Sequence, residues 1–415
     1  MSDPWVTFAP DGTAHQIAIA FNGRALGAGS SNAVLVSRSA DGGRTWASPV
    51  TLIRDGSDFF NDKEAITADP TDPRLVYAVW DRIAATGGGP AIFARSTDGG
   101  LSWEPPRAIH DPGVTSQTLN NQVVVLPDGT LVDFFTRIDA GEGGARATLA
   151  ILRSLDKGVT WSTPITVAPV QAIGVRDPET GTPVRDGANL GSIAAGPRGE
   201  LVVVWQDARF TGGARDGIAF ARSQDGGLSW SPAQRINADP SVPAFVPTAH
   251  IRGDGTIGVT YYDFRSNTAD AGSLPTDYWL ARSIDGQTWT ETRVAGPFDL
   301  AVAPNSNGLF LGDYQGLTSI GSSFLPVYAV ASDGRRDNRT DIWLTLATSV
   351  QAAATAGAPR AAEATPTFRA AAASLLPVTP ELEGRLAESV AQTMERRLPG
   401  WTERAIARPP AARQY

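Results

Sequence analysis

The chain has 415 residues, a formal net charge of −8 at neutral pH and no cysteine. The absence of cysteine excludes disulfides, thiolate metal ligands and cysteine nucleophiles, and the acidic balance argues against nucleic-acid binding, which needs a basic face. No apolar run is long enough to span a membrane. The first residues have no signal-peptide pattern. We therefore expect a cytoplasmic protein, or an extracellular one if a leader has been removed.

One motif, Ser-x-Asp-x-Gly-x-Thr/Ser-Trp, recurs five times, and its fifth copy is one residue shorter. Its carboxylate can accept backbone N–H bonds across a hairpin turn, and its glycine allows a positive φ. The motifs therefore predict turns, each anchored on the core by its Trp, and not catalytic groups. The steps between them are about 57 to 69 residues, close to the length of a propeller blade. The five aspartates are Asp41, Asp98, Asp156, Asp225 and Asp285.

Hairpins with Asp-Gly turns, such as Asp128-Gly129, complete four strands in each repeat. The sixth repeat has no motif and only three clear strands, so its missing strand must come from elsewhere, and residues 365–369 are one candidate. Residues 1–349 are therefore predicted to form an all-β, six-bladed β-propeller. The repeats begin near Asp3, Asn61, Asn120, Asn189, Ala244 and Leu309.

The C-terminal part of the chain differs in composition. Residues 350–378 are rich in Ala and Pro and predict a linker, and residues 379–415 predict a helix and a tail, with Thr379 as the capping residue. The helix either packs against the propeller or docks a partner or another copy of the chain. Its apolar positions, spaced by four, are Leu382, Leu386, Val390, Met394 and Leu398.

The motifs and the strand order over residues 3–348 resemble the sialidase superfamily of BNR-repeat, or Asp-box, propellers. The resemblance implies a sheltered site at the propeller axis for a glycan or another small anionic ligand. It also implies a nucleophile, Tyr314, which matches the tyrosine that opens the innermost strand of the last blade in that family. A neutral phenol suits a sialoside, whose carboxylate lies beside the anomeric carbon. Because the pKa of a tyrosine is near 10, the phenol needs a carboxylate partner as base.

The resemblance implies that this partner is Glu64, at the start of an innermost strand in the second repeat. Arginines recur at the ends of the second strands, where their guanidinium groups could bind an acidic sugar. The alternative is a repeated latch between each arginine and a neighbouring aspartate. The four candidates are Arg82, Arg137, Arg209 and Arg265.

The sequence also departs from the family. The segment from Asp3 to Val6 lacks the family's arginine, and residues 21–32 contain no acid where the general acid is expected; Asp62, Asp58 or Asp55 could replace it. The leading hypothesis is a retaining exo-glycosidase of the exo-α-sialidase type that acts on terminal acidic sugars, with another glycan hydrolase or lyase beside it. The alternative is a non-catalytic propeller that binds a glycan or a protein partner.

Oxygen-bearing side chains open several of the innermost strands, among them Asp3, Asp62 and Asp313. Calcium prefers hard oxygen ligands, so these residues predict a structural Ca²⁺ site. The alternative is that such residues open strands simply by capping turns. No cofactor is expected to be required for activity.

Overall fold

A computed structural model of the chain describes residues 2–141, 144–332, 339–347 and 367–402. The chain divides into two compact units, here called unit one (Met1–Pro169 with Val390–Tyr415) and unit two (Val170–Ser389). Each unit contains three antiparallel sheets of three to five strands. These sheets are the blades of a six-bladed β-propeller, so the predicted fold is confirmed.

Unit one contains blades one to three, each with four strands. Blade one consists of β1 (Ser2–Phe8), β2 (Ala14–Asn22), β3 (Ser31–Ser39) and β4 (Val50–Asp55). Blade two consists of β5 (Phe59–Ala68), β6 (Val76–Ala84), β7 (Ala91–Ser96) and β8 (Arg107–His110). Blade three consists of β9 (Ser116–Val125), β10 (Leu131–Gly141), β11 (Gly144–Ser154) and β12 (Ile165–Pro169). Side chains of blades one and two share a core that includes Ile19, Val34 and Trp80.

Unit two begins with a long connection that contains β13 (Val184–Arg185). Blade four follows with β14 (Ser192–Ala195), β15 (Leu201–Asp207), β16 (Gly217–Ser223) and β17 (Gln234–Arg235). Blade five consists of β18 (Ala244–Ile251), β19 (Ile257–Asp263), β20 (Pro275–Ser283) and β21 (Thr288–Asp299). The last elements are β22 (Leu309–Phe310) and blade six, with β23 (Gly316–Ile320), β24 (Ser323–Ala331) and β25 (Thr340–Leu344). Short 3-10 helices cover Arg209–Thr211 and Leu300–Val302.

The sixth repeat begins later than the sequence predicts. Instead of opening blade six near Leu309, the segment Leu309–Phe310 pairs in parallel with Val184–Arg185. The reason is hydrophobic burial, because Leu309 and Val184 belong to one core cluster of unit two. Blade six therefore starts at Gly316.

Two short strands follow the predicted linker region: β26 (Phe368–Arg369) and β27 (Ala371–Ala372). β26 adds a fifth strand to blade five, and β27 adds one to blade four. The prediction that residues 365–369 complete blade six is therefore wrong; residues 350–366 lie outside the described part of the chain. Phe368 lies opposite the fully buried Trp289 and packs on the core of blade five, which explains the pairing. Within the described residues, blade six has three strands.

The five Ser-x-Asp turns have the predicted hydrogen bonds. In the first turn, Asp41 Oδ1 accepts the hydroxyl of Ser39 (2.7 Å) and the N–H of Thr45 (2.8 Å). Bonds of this kind from the turn's own hydroxyl and N–H groups lower the pKa of all five aspartates to about 2. The anchoring by Trp is uneven, since Trp289 is fully buried whereas Trp46 is 38% exposed.

The helix α1 spans Pro380–Arg397. Thr379 caps it as predicted, because its hydroxyl accepts the N–H of Leu382 (3.2 Å). Leu382, Val390, Met394 and Leu398 are buried, so the stripe packs within the chain. Residues up to Ser389 belong to unit two and those from Val390 to unit one. Among the described residues, no helix has both the length and the apolar character that a membrane span requires.

Candidate functional site

The first strands of four blades share a β-bulge. Asp3, Lys63, Asn120 and Val246 each have a positive φ, between 51° and 63°, at an irregular point of the strand pairing. Among residues other than glycine, this conformation is strained for most and is tolerated best by Asn and Asp. Positions that the sequence assigns to strand starts, such as Asn61, therefore lie inside longer strands. A bulge redirects the side chains around it and is common near functional sites.

In unit one, two buried carboxyl groups, those of Asp62 and Glu64, lie on either side of Lys63 at the bulge of β5, and the charge of Asp62 acts on Glu64. Glu64 Oε1 accepts the N–H of Ile19 (2.7 Å), whereas its Oε2 is buried without a hydrogen-bond partner among the described residues. Burial, together with the charges of Asp3 and Asp62, raises the pKa of Glu64 to about 10. Glu64 is therefore protonated at neutral pH.

The second predicted carboxyl group, Asp62, is bound by an arginine that sequence reasoning did not identify. Arg397, the last residue of α1, donates through Nε to Asp62 (2.6 Å) and through Nη2 to Asp81 (2.7 Å). Asp81 also accepts the N–H of Asn120 (3.1 Å) and the side-chain amide of Asn121. Burial raises the pKa of Asp81 to about 7, although the charge of Arg397 opposes this shift.

Arg82 does not pair with the adjacent Asp81. Its guanidinium forms two hydrogen bonds with Asp55, at 2.9 and 2.7 Å, and lies 3.7 Å from the ring centre of Phe59. Of the three candidate general acids, Asp55 is thus paired with Arg82, Asp58 is exposed in a turn, and Asp62 is buried with Arg397. The structure brings Asp62 and Glu64 together and assigns Arg82 to a separate ion pair.

In unit two, Tyr314 precedes β23 by two residues, so the prediction that it opens the strand is wrong. The side chain of Gln315 explains the delay. Its Oε1 accepts the N–H of Ala329 (2.9 Å), and its Nε2 donates to the carbonyl of Leu311 (3.1 Å). The side-chain amide of Gln315 thus accepts an N–H of β24 that a strand backbone would otherwise accept. Regular pairing between β23 and β24 therefore starts at Gly316.

The residue before Tyr314 is held by a second arginine that sequence reasoning missed. Arg185 in β13 donates to both carboxylate oxygens of Asp313, at 2.8 and 2.6 Å. It also donates to Ser306 (3.1 Å) and lies 4.2 Å from the ring centre of Phe310. No motif marks this pair, since its partners are 128 positions apart. The pair fixes the start of blade six against the connection that contains β13.

Two predicted sugar-binding arginines form latches inside their own blades. Arg209 is buried and donates to both oxygens of Asp207, at 2.8 and 2.6 Å. Arg265 donates to Asp263 (2.6 Å) and to Glu291 (2.8 Å). Burial raises the pKa of Asp263 to about 6 and that of Glu291 to about 8. Both arginines thus form the latch with a neighbouring aspartate that the sequence analysis gives as the alternative to sugar binding.

Arg137 has the most exposed side chain of the four predicted sugar-binding arginines, at 42%. Its Nε donates to Asp139 (2.8 Å), which also accepts the hydroxyl of Ser116 (2.5 Å). A partly exposed guanidinium can still bind an anionic group through its remaining N–H donors.

The predicted calcium ligands all face cations of the protein. Lys63 Nζ lies 3.6 Å from Asp3, while Arg397 binds Asp62 and Arg185 binds Asp313. Among the residues that the structure describes, no three His, Asp or Glu side chains form a group that could hold a metal ion. The calcium site therefore stays a prediction.

Sequence similarity between this chain and known proteins is low. No family model matches the chain. It is 27% identical to a xyloglucanase from Paenibacillus sp. over 243 residues, 55% of this chain and 21% of the relative, so it spans about a fifth of that relative's length. Similar solved structures include a Hadza microbial sialidase (18% identity, 79% of this chain, 62% of that chain, TM-score 0.47). They also include an α-L-arabinanase from Penicillium chrysogenum complexed with arabinobiose (15% identity, 83% of this chain, 92% of that chain, TM-score 0.49). The fold assignment itself rests on the six blades of this chain.

Proposed function

We propose that this protein is a glycan-active enzyme, a retaining exo-glycosidase of sialidase-like type that removes terminal acidic sugars. The observation that supports this proposal most is the environment of Glu64. Glu64 is buried and protonated, and one of its oxygens has no partner in the part of the chain that the structure describes; such a carboxyl group is costly to fold, and such groups concentrate at functional sites. The name of the Paenibacillus relative, a xyloglucanase, agrees with a glycan-active role.

The roles of the residues follow the sialidase resemblance. The phenol oxygen of Tyr314 forms a bond to the anomeric carbon while the glycosidic C–O bond breaks, and Glu64 takes the phenol proton. Asp62 gives a proton to the leaving oxygen, and water then hydrolyses the tyrosyl–sugar bond, so the configuration is retained. Because Glu64 is protonated at rest, it must first lose its own proton. Turnover that depends on Glu64 as base is therefore expected to rise with pH.

A second candidate function is a non-catalytic propeller that binds a glycan or a protein partner. The latches favour it, because Arg82, Arg209 and Arg265 are already paired with carboxylates of the protein. Among the four predicted sugar-binding arginines, Arg137 has the most exposed side chain, and beside its bond to Asp139 it would keep further N–H donors for an acidic ligand.

A panel of fluorogenic glycosides, including sialosides, assayed from pH 4 to pH 10 tests the proposal. Turnover of an acidic glycoside that rises with pH supports the enzyme. Binding of the same glycans, measured by calorimetry, without turnover of any of them supports the binding protein instead. Activity on neutral sugars alone would contradict the proposed substrate class.

A further inference from the structure

We propose that Arg397 is an internal plug, whose guanidinium occupies the carboxylates of Asp62 and Asp81 and must leave before Asp62 can act on a substrate. The inference rests on the proposed function, because it concerns the same Asp62. It adds a regulatory step, in which the end of α1 switches the site between a closed and an open state.

The first argument is the position of the two carboxylates. Asp62 and Asp81 lie directly opposite each other on β5 and β6, where like charges destabilise a sheet. The guanidinium of Arg397 bridges them. The exposed fractions of the side chains are 8% for Asp62, 0% for Asp81 and 5% for Arg397. A substrate cannot reach Asp62 Oδ2 while Arg397 Nε is bound to it at 2.6 Å.

The second argument is the origin of the arginine. The arginine–aspartate pairs that the blades form among themselves join residues of one blade or of neighbouring blades, as Arg209 does with Asp207 and Arg82 does with Asp55. Arg397 instead comes from a helix outside the blades, 335 positions from Asp62. A pair that served only to neutralise the sheet could come from a neighbouring strand, whereas a helix end can move without breaking a blade.

The third argument is chemical. With Arg397 in place, the guanidinium occupies Asp62 Oδ2, so this oxygen cannot meet a leaving group. Once Arg397 leaves, two facing carboxyl groups remain, and such pairs retain one shared proton well above the ordinary pKa of an aspartic acid. Removing the plug therefore frees Asp62 Oδ2 and leaves a facing carboxyl pair that can carry the proton a general acid needs.

The contacts that hold the plug are concentrated at the end of the helix. Met394, Leu398 and Trp401 are buried next to Arg397 in sequence. The carboxylate of Glu395 accepts the N–H groups of Gly400 and Thr402, which closes the helix end. Among the described residues, no strand pairs with this segment, residues 390–402, so its local opening would leave the strands of the blades paired.

Hydrogen exchange on the full-length protein tests the movement. The plug requires residues 390–402 to exchange through local openings, faster than the amides of β6 and β10. Arg397→Ala should speed exchange in this segment about tenfold or more. Arg385→Ala is the matched control, since Arg385 lies on the same helix but donates to the carbonyl of Gly213 (2.6 Å). Exchange of residues 390–402 only at the rate of the blade cores would overturn the proposal.

Activity tests the blockade. Arg397→Ala should raise turnover of the glycoside found in the panel, and millimolar guanidinium, which refills the space between the carboxylates, should lower it again. Wild type and Arg385→Ala should not respond to guanidinium. Turnover of Arg397→Ala that is unchanged or lower, and that guanidinium does not inhibit, would make Arg397 a structural staple and overturn the plug.

The two proposals can fail separately. If no variant turns over any glycan, the proposed function fails, and the exchange data alone decide whether the end of α1 opens. If Arg397→Ala does not fold, Arg397→Lys replaces it, because a lysine keeps the charge but not the two-pronged geometry. Faster exchange of residues 390–402 in Arg397→Lys supports the plug, and exchange equal to wild type opposes it.

Discussion

Arg185 donates hydrogen bonds to both carboxylate oxygens of Asp313, the residue that immediately precedes Tyr314. Because β13, which carries Arg185, pairs with β22 and not with any strand of blade six, the position of Tyr314 depends on a segment outside its own blade. Arg185 is thus a positioning residue for the proposed nucleophile.

We expect Arg185→Ala to lower kcat about 10- to 100-fold with a smaller effect on KM, because a displaced nucleophile loses its attack geometry. Arg185→Lys should recover part of the loss, since it keeps one charged donor. Steady-state kinetics with the panel substrate measures both. Arg176→Ala is the control, as Arg176 is half-exposed and its nitrogen lies 3.7 Å from Glu388. Equal losses in kcat for the Ala and Lys variants would contradict positioning by charge.

The nucleophile itself is tested by Tyr314→Phe. The loss of the phenol oxygen should reduce turnover by several orders of magnitude. Stability should change little, because one hydroxyl contributes only about 1 kcal/mol to folding. Turnover and urea unfolding of the same preparation give both quantities. If turnover survives in Tyr314→Phe, the sialidase-like mechanism is wrong for this protein, whatever its fold.

The repeat period and the turn chemistry made the fold predictable, because a turn such as Ser39–Asp41 closes entirely through local hydrogen bonds. The ion pairs were less predictable. Asp207 and Arg209 are two residues apart and can meet, whereas Asp81 and Arg82 are adjacent on a strand and point to opposite faces. Arg82 therefore reaches Asp55 of blade one.

The remaining misses have a common physical cause. Arg397 reaches Asp62 within unit one, and Arg185 reaches Asp313 within unit two, each through tertiary packing across more than a hundred positions, and no local pattern records such a contact. The two residues of β26 are too few to show a strand period, and their pairing depends on the burial of Phe368 against Trp289. The late start of β23 depends on one amide side chain, that of Gln315.

The Ser-x-Asp turns should matter for stability and not for catalysis. In the second turn, Asp98 accepts the hydroxyl (2.5 Å) and the N–H (2.9 Å) of Ser102, and also the hydroxyl of Ser96 (2.8 Å). Asp98→Ala should lower the melting temperature by a few degrees, and Asp98→Asn by less, because the amide keeps one acceptor oxygen. These bonds lower the pKa of Asp98 to about 2. The difference in melting temperature between wild type and Asp98→Ala should therefore be full above pH 4 and shrink towards pH 2. An altered kcat would contradict the structural role.

The calcium prediction is tested by thermal melts with calcium and with EDTA. A metal that binds only the folded state, at a hundred times its dissociation constant, stabilises the protein by about 2.7 kcal/mol and so raises the melting temperature. Asp3→Asn should reduce the response if Asp3 is a ligand. An unchanged melt, together with no metal in elemental analysis, would remove the hypothesis.

Glu64 gives the sharpest prediction on pH. Its pKa is about 10 in the folded protein, against an ordinary value of 4.5, so between these values the folded state binds a proton that the unfolded chain has released. The free energy of unfolding should therefore fall as pH rises from about 5 to 9. Glu64→Gln removes the ionisation while its Oε1 can still accept the N–H of Ile19. The variant should match wild type near pH 4 and be more stable at pH 8 by up to about 5 kcal/mol, because each pH unit between the two pKa values contributes about 1.4 kcal/mol.

Urea unfolding at several pH values measures this difference, and an unchanged m-value shows that the folded state is intact. Glu104→Gln is the control, because Glu104 is 38% exposed and forms an ion pair with Arg95 (2.6 Å). This change can only weaken the ion pair, so the control should not gain stability at pH 8. If Glu64 acts as the base, Glu64→Gln should be more stable than wild type and should lose turnover. Such a trade-off between stability and activity is expected of a residue retained for function. A wild-type stability that stays constant from pH 5 to pH 9 would show that Glu64 is not a buried, protonated acid, and would take away the main support for the enzyme.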